Sequence, residues 1–224
     1  MSQFELESRS GLVPLFPLPD NCLLPGELQS FHIFEPRYRS MLSAALASDR
    51  LIALPRFRPG WPEAYYCNPE VEHRFGVGKI VSEVTLPDGT SDIVLRGIAR
   101  VRLLEVVRSA PYRLARVAEL PDSVADTAQL EWVQEELCRL LAREASDVSS
   151  PCYRAGLPAG PVTELAGRLA RLVRFDPTTK QRMLEADDLA DRLGLLLTCL
   201  CSGRCRSREI ARPGPIRARK PFAN

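Results

Sequence analysis

Histidine is nearly absent: His32 and His73 are the only two in 224 residues. A metal centre built on imidazoles, or catalysis that needs a histidine base, has few places to form. Long apolar runs are missing as well. The densest, "LGLLLTCL" at 193–200, is far shorter than the roughly 20 residues a membrane span needs. The opening "MSQFELESRS" is acidic and lacks the apolar core of a secretory signal, so a cytoplasmic protein is expected. A strong excess of one charge is also missing. The net charge is +2, and the basic residues Arg206, Arg208, Arg212, Arg217, Arg219 and Lys220 stand against Glu209 alone at the end of the chain. The remainder is therefore mildly acidic, unlike a nucleic-acid protein whose positive charge covers a folded face. A phosphate-cradling loop is not found: Gly78-Lys79 lacks the upstream glycine and the following hydroxyl residue.

Cysteine is present seven times, an odd number without an export signal, which predicts reduced thiols, mostly small buried apolar groups. Cys199, Cys201 and Cys205 form the densest set. C-x-C-x-x-x-C has no second pair at zinc spacing, and on a helix Cys199 is turned about 200° from Cys201, so a thiol-bearing helix end is expected and no metal site. Cys67 and His73 flank a loop and offer a nucleophile and base in principle, against a bland reading as ordinary loop residues.

What the chain does contain falls into two regions. "LVPLFPL" (12–18), interrupted by prolines, suits an edge or bent strand. "ELQSFHIF" (27–34) alternates with both faces partly apolar, like a barrel wall with something packed outside. At Pro36 the period changes: Tyr38, Met41, Leu42, Ala45 and Leu46 fall at helical spacing, with Pro36 tolerated in the first turn. "LIALPRF" (51–57) is a further apolar run. The clearest hairpin is "FGVGKIVSEVTL", the turn "PDG" (87–89), and "TSDIVLRGIARVRLLEVV". Ile93, Leu95, Ala99, Val101 and Leu103 share a face, with Gly97 marking a bulge or barrel corner. Arg96, Arg100 and Arg102 lie opposite and read as the solvated face. "YRLARVAEL" (112–120) is the last strand.

Helical periods follow. One stripe is Leu130, Val133, Leu137, Leu140 and Leu141; another is Val162, Leu165, Leu169, Leu172 and Val173, with a turn-rich loop at 146–161 between them. Asp176 and Pro177 cap and start a third helix, and Asp187 or Asp188 a fourth, striped by Leu189, Leu193, Leu196 and Leu200. The tail beyond about 206 is expected to be disordered.

The ordered series "LVPLFPL", "LLPGE", "FHIFEPRYRSML", "GVGKI", "DG", "LRGIARVRLLEV" and "KQRMLEADDLADRLGLLLTCL" resembles the LON domain, the N-terminal substrate-binding domain of ATP-dependent Lon proteases. The resemblance covers roughly residues 11 to 203. The stretch "GWPEAYYCNPEVEHRFGVGKI" is similar to the short stand-alone LON proteins of bacteria. The resemblance implies an α+β fold: a PUA-like β pseudo-barrel over 11–121, a C-terminal α-helical bundle over 125–205, and a basic tail over 206–224. Lon proteases carry ATPase and Ser-Lys peptidase modules after this domain, where the present sequence ends, so neither activity is expected. In that family "FHIFEPRYRSML" marks the fold, which agrees with reading Pro36 as a helix start, Glu35 at its positive end, and Arg37 and Arg39 reaching to sheet edges or carboxylates.

The functional expectation is a non-enzymatic module that binds unfolded polypeptide or a protein partner as an accessory or adaptor in protein quality control, without cofactor. The candidate peptide-binding residues are Phe57, Trp61, Tyr65 and Tyr66, in the proline-rich, aperiodic segment before the hairpin. The rings either plug the barrel or line a groove. RNA binding is the alternative, since PUA-like barrels often bind RNA; its warrant is fold analogy alone.

Overall fold

The computed structural model describes residues 11–145, 160–170, 173–202, 206–207 and 216–217. Six strands come first: β1 (Leu12–Pro14), β2 (Leu28–Ile33), β3 (Leu51–Leu54), β4 (Arg74–Thr85), β5 (Ser91–Arg108) and β6 (Leu114–Glu119). The long β5 organises them. Antiparallel β4 follows it from Ser91 to Arg102, while β2 pairs with its residues 91–96 and β6 with residues between 101 and 108. β1 pairs β6, and β3 pairs β4. Residues 15–18 then bridge in parallel to 53–56, with the Phe16 N–H donating to the Ala53 carbonyl at 2.8 Å. The path β1-β6-β5-β4-β3 thus returns to the chain that leaves β1, and a mixed α/β fold is built on a curled, mainly antiparallel sheet.

Period-two patterning explains the filling. Phe31 and Ile33 on β2, Ile93 and Leu95 on β5, and Ile80 on β4 are buried together with Tyr38, Met41 and Leu42 of helix α1 (Pro36–Leu46). Each such large apolar side chain contributes about 1.5–3 kcal/mol when withdrawn from water. Gly97 sits where the β4–β5 register slips, as a bulge should. Its physical reason is a close approach: a Cβ there would lie 2.1 Å from the Leu24 carbonyl oxygen, and one at Gly76 1.9 Å from that of Leu23. The segment around Leu23 and Leu24 crosses the sheet at these two glycines.

Helices α2 (Trp61–Ala64), α3 (Thr127–Ala145), α4 (Leu165–Leu169), α5 (Pro177–Glu185) and α6 (Leu189–Cys201) follow in chain order, with two short 3-10 turns among the described residues. Asp176 caps α5 by accepting from the Thr179 N–H, and Asp188 caps α6 by accepting from Ala190 and Asp191. Both caps were expected from the side-chain chemistry. Val133, Leu137, Leu165, Leu169, Met183, Leu184, Leu193 and Leu196 share one core with Cys22 and Leu24 from the barrel side. Among the described residues no helix is long and apolar enough to cross a membrane.

Four expectations need correction. The stripe 162–173 does not make one helix: a 3-10 turn (Val162–Glu164) leads into the five-residue α4, and Val173 belongs to the two-residue strand β7 (Val173–Arg174). Arg100 is not on a solvated face; it is 2% exposed, because the junction of α5 and α6 covers that side of β5. Cysteines are not uniformly buried and reduced: Cys67, Cys138 and Cys201 are exposed, and Cys199 is disulfide-bonded. Within the tail, β8 (Arg206–Ser207) pairs with β7, and β9 (Ile216–Arg217) pairs in parallel with β2. The rest of the expected disordered tail, and most of the loop 146–161, lie outside the described residues.

Candidate functional site

The site grows from the start of α1. Pro36 occupies the first turn, where its missing N–H costs nothing. Glu35 is the N-cap residue, yet its side chain makes no cap bond. The carboxylate turns sideways, accepting from Arg37 Nε at 3.0 Å and from the Tyr65 hydroxyl at 3.0 Å. The Arg37 guanidinium lies over the Tyr38 ring at 4.6 Å and the Tyr65 ring at 5.0 Å, in cation–π contact with both.

This geometry joins two motifs that sequence reasoning kept apart. Gly60, at φ 87°, turns the chain into α2, and the 3-10 turn Tyr65–Cys67 follows directly. Phe57 and Trp61 stack with centroids 5.4 Å apart; Tyr65 meets Phe57 edge-on at 6.1 Å and Trp61 at 5.9 Å. Phe57 is buried, anchored by its N–H to the Leu18 carbonyl at 3.1 Å. Trp61 and Tyr65 are half-buried. Three of the four candidate aromatics therefore form one cluster on the barrel; the Tyr66 side chain lies outside the described residues. Burial pushes the Tyr65 phenol up to about 12, with Glu35 adding to the shift, so it stays a neutral donor to that carboxylate.

Facing the cluster is a wall the sequence reading missed. Arg113 and Tyr112, just before β6, line a narrow recess together with Arg37, Tyr65 and Asn68. Arg113 is nine-tenths buried and donates from Nη1 to the Pro69 carbonyl at 2.8 Å and from Nε to the Asn68 side-chain oxygen at 3.4 Å. Burial pushes its guanidinium below the usual arginine value, and nearby Arg37 adds to that effect. The available signal was weak: "PYRL" carries one arginine at a strand entrance, and nothing local says it will be covered. Cys67 and His73 are both exposed and show no nucleophile–base contact. The arrangement offers aromatic surface, a cation-bearing recess and neutral hydroxyl donors.

The family model described as the ATP-dependent protease La (LON) substrate-binding domain matches residues 12–202, and the chain belongs to that family. Among curated proteins it is similar to Lon protease 2 of Myxococcus xanthus, 28% identical over 219 residues covering 89% of this chain and 24% of that protein. It is also similar to the Lon protease of Dictyoglomus thermophilum, 26% identical over 187 residues covering 81% of this chain and 23% of that protein. The chain thus spans about a quarter of the length of these relatives. Among solved structures, the N-terminal domain of Mycobacterium avium complex Lon protease superposes with a TM-score of 0.63 at 21% identity, covering 85% of this chain and 98% of that one. A Lon N-terminal domain protein from Xanthomonas campestris gives 0.58 at 20% identity, covering 84% and 97%. These two likenesses establish the fold.

Proposed function

We propose that this chain is a non-enzymatic polypeptide-binding module that acts as an accessory or adaptor in protein quality control, with a PUA-like pseudo-barrel followed by a helical bundle. The observation that carries the reading is the cluster of Phe57, Trp61 and Tyr65, whose outer two rings remain half-open to solvent while the inner one is fixed in the core. Rigid aromatic rings give an unfolded chain a large apolar contact at small rotamer cost. The family to which the chain belongs is named for substrate binding, which supports the same reading.

The test is binding of a fluorescently labelled, reduced and alkylated polypeptide, followed by anisotropy. Trp61→Ala should weaken it by roughly 1–3 kcal/mol with little change in melting temperature. Tyr65→Ala should weaken it similarly and also lower stability, because it cuts the hydrogen bond to Glu35. With Trp132→Phe in place, Trp61 reports binding directly through its emission. Unchanged emission on adding polypeptide, together with normal binding by both alanine variants, would remove the aromatic cluster as the site.

A further inference from the structure

Among the described residues, the buried cations are met by carboxylates with one exception. Arg100 and Arg192 share Asp122, and Lys180 meets Glu27. Arg113, buried to nine-tenths, has no acidic partner among the described residues. Its acceptors are the neutral oxygens of Pro69 and Asn68, and a second cation, Arg37, whose own carboxylate is Glu35, acts against its charge. Burying an uncompensated charge is costly, and the cost falls when a counter-ion arrives with matching geometry. The place for that counter-ion is the recess that Arg113 and Arg37 both line, bordered by Tyr65 and thus by the aromatic cluster.

We infer that this recess is a carboxylate site: the carboxylate of a bound polypeptide, from a chain terminus or an Asp or Glu side chain, completes Arg113 while the neighbouring apolar residue rests on Tyr65 and Trp61. The inference rests on the polypeptide-binding reading and gives it a chemical preference. A guanidinium fork matches a planar carboxylate, and the narrowness of the recess suits a small flat group. The site selects clients in which an acidic group lies beside a large apolar side chain. Clients with lysine or arginine at that place are rejected by two guanidiniums.

The experiment uses the full chain carrying Trp132→Phe and reads Trp61 emission. Four probes are titrated: an apolar hexapeptide ending in phenylalanine as the free acid, the same peptide as its amide, and two amidated peptides with Asp or Asn next to the phenylalanine. The acid of at least one pair should bind about tenfold more tightly than its neutral twin, and the pair that discriminates names the source of the carboxylate. Arg113→Gln should erase that difference, and Arg113→Lys should restore part of it. Arg113→Gln removes a charge without an acidic partner but also its hydrogen bonds to Pro69 and Asn68, so the melting temperature of the unliganded protein should change little.

If both pairs bind with equal affinity, the carboxylate site is wrong and polypeptide binding stands. Discrimination that survives Arg113→Gln, with a lowered melting temperature, makes Arg113 a structural tether and overturns the inference. Sodium benzoate separates the two readings. If no peptide binds but benzoate raises the melting temperature of the parent and not of Arg113→Gln, the site stands without the polypeptide reading. If benzoate has no effect either, both fall.

Discussion

Asp122→Asn is the sharpest probe of what holds the barrel to the helices. Asp122 Oδ1 accepts from Arg100 Nη2 at 2.9 Å and forms an ion pair with Arg192 Nη2 at 2.7 Å. Arg100 Nη1 also donates to the carbonyls of Leu184 at 2.9 Å and Ala186 at 2.7 Å, and Arg192 Nε to that of Met183 at 3.1 Å. One carboxylate therefore neutralises two buried cations that between them tie β5 to the end of α5 and the start of α6. Burial, with Arg192 alongside, already pushes the Arg100 guanidinium below the usual arginine value. Asparagine keeps the shape and removes the charge, leaving two guanidiniums facing each other out of water.

Breaking a buried pair by removing one partner costs about 3–5 kcal/mol. Two features lower the figure here. Asp122 is 21% exposed, so water screens part of the loss, and Asp187, 4.0 Å from Arg100, supplies a second if distant carboxylate. A loss of roughly 2–4 kcal/mol remains, which for a chain of this size lowers the melting temperature by about 5–15 °C. Thermal and urea unfolding followed by circular dichroism measure it. Glu135→Gln is the control. Its ion pair with Arg139 is exposed on both sides and should be worth under about 0.5 kcal/mol. A melting temperature for Asp122→Asn within about 2 °C of that control would refute the charge argument.

Other expectations are more local. Burial pushes the Cys22 thiol up to about 12, so iodoacetamide at pH 8 should label Cys67, Cys138 and Cys201 in the folded protein and reach Cys22 only after denaturation; equal labelling rates by mass spectrometry would contradict its burial. Burial acts to raise the Asp176 carboxyl, but hydrogen bonds from the Thr179 hydroxyl and backbone outweigh it and hold the group below its ordinary 3.8. With the folded value depressed, the contribution is complete above the unfolded value and disappears as pH falls through the folded one. Asp176→Ala should accordingly cost about 1 kcal/mol at pH 7 and less at pH 2, as urea midpoints at the two pH values will tell. Gly97→Ala, whose Cβ would meet the Leu24 carbonyl oxygen at 2.1 Å, should lose 2 kcal/mol or more, roughly, whereas Gly194→Ala in α6, with nothing within 4 Å, should gain up to about 1 kcal/mol. The reverse order in melting temperature would mean that the chain at Leu23–Leu24 does not lie on the sheet as described.

The parts legible in the sequence were those decided by near neighbours. Helix α1 follows from Pro36 and the spacing of Tyr38, Met41, Leu42 and Ala45, all buried. The β4–β5 hairpin follows from Pro87-Asp88-Gly89, where the Asp88 carboxylate accepts from the Thr90 N–H at 2.9 Å and Gly89 adopts φ 76°. Arg100 was misread because alternation reports only which residues share a face, and its face is covered by carbonyls more than 80 residues further along. The stripe through Val173 failed for a related reason: Val173 pairs as a strand with Ser207, a partner no window of helical period includes. At the candidate site the aromatics were visible as a composition anomaly. Their link to Glu35, and the opposing wall at Arg113, depend on how residues 57–68 fold back onto the barrel.

The short "CLLPGE" stretch shows why such distant contacts dominate in this fold. Leu23 points into the barrel core, while Cys22 and Leu24 belong to the core shared with the helices. Alternation along three residues thus assigns successive side chains to two different cores. The backbone between them can lie against the sheet only because Gly76 and Gly97 lack side chains. Its polar groups are then satisfied from both sides. The Cys22 carbonyl accepts from Gln29 Nε2 at 2.7 Å and from Lys180 Nζ of α5 at 3.2 Å, and the Lys180 ammonium also meets the buried Glu27 carboxylate. Separating helices from barrel would expose apolar surface on both faces of the stretch and strand Glu27 without its cation, a loss of several kcal/mol at the scale of broken buried pairs. The two parts are therefore coupled through main-chain contacts rather than through a flexible linker. The aromatic cluster and its recess stand on the sheet that this coupling ties to the helices, so the proposed binding surface rests on elements held by two cores.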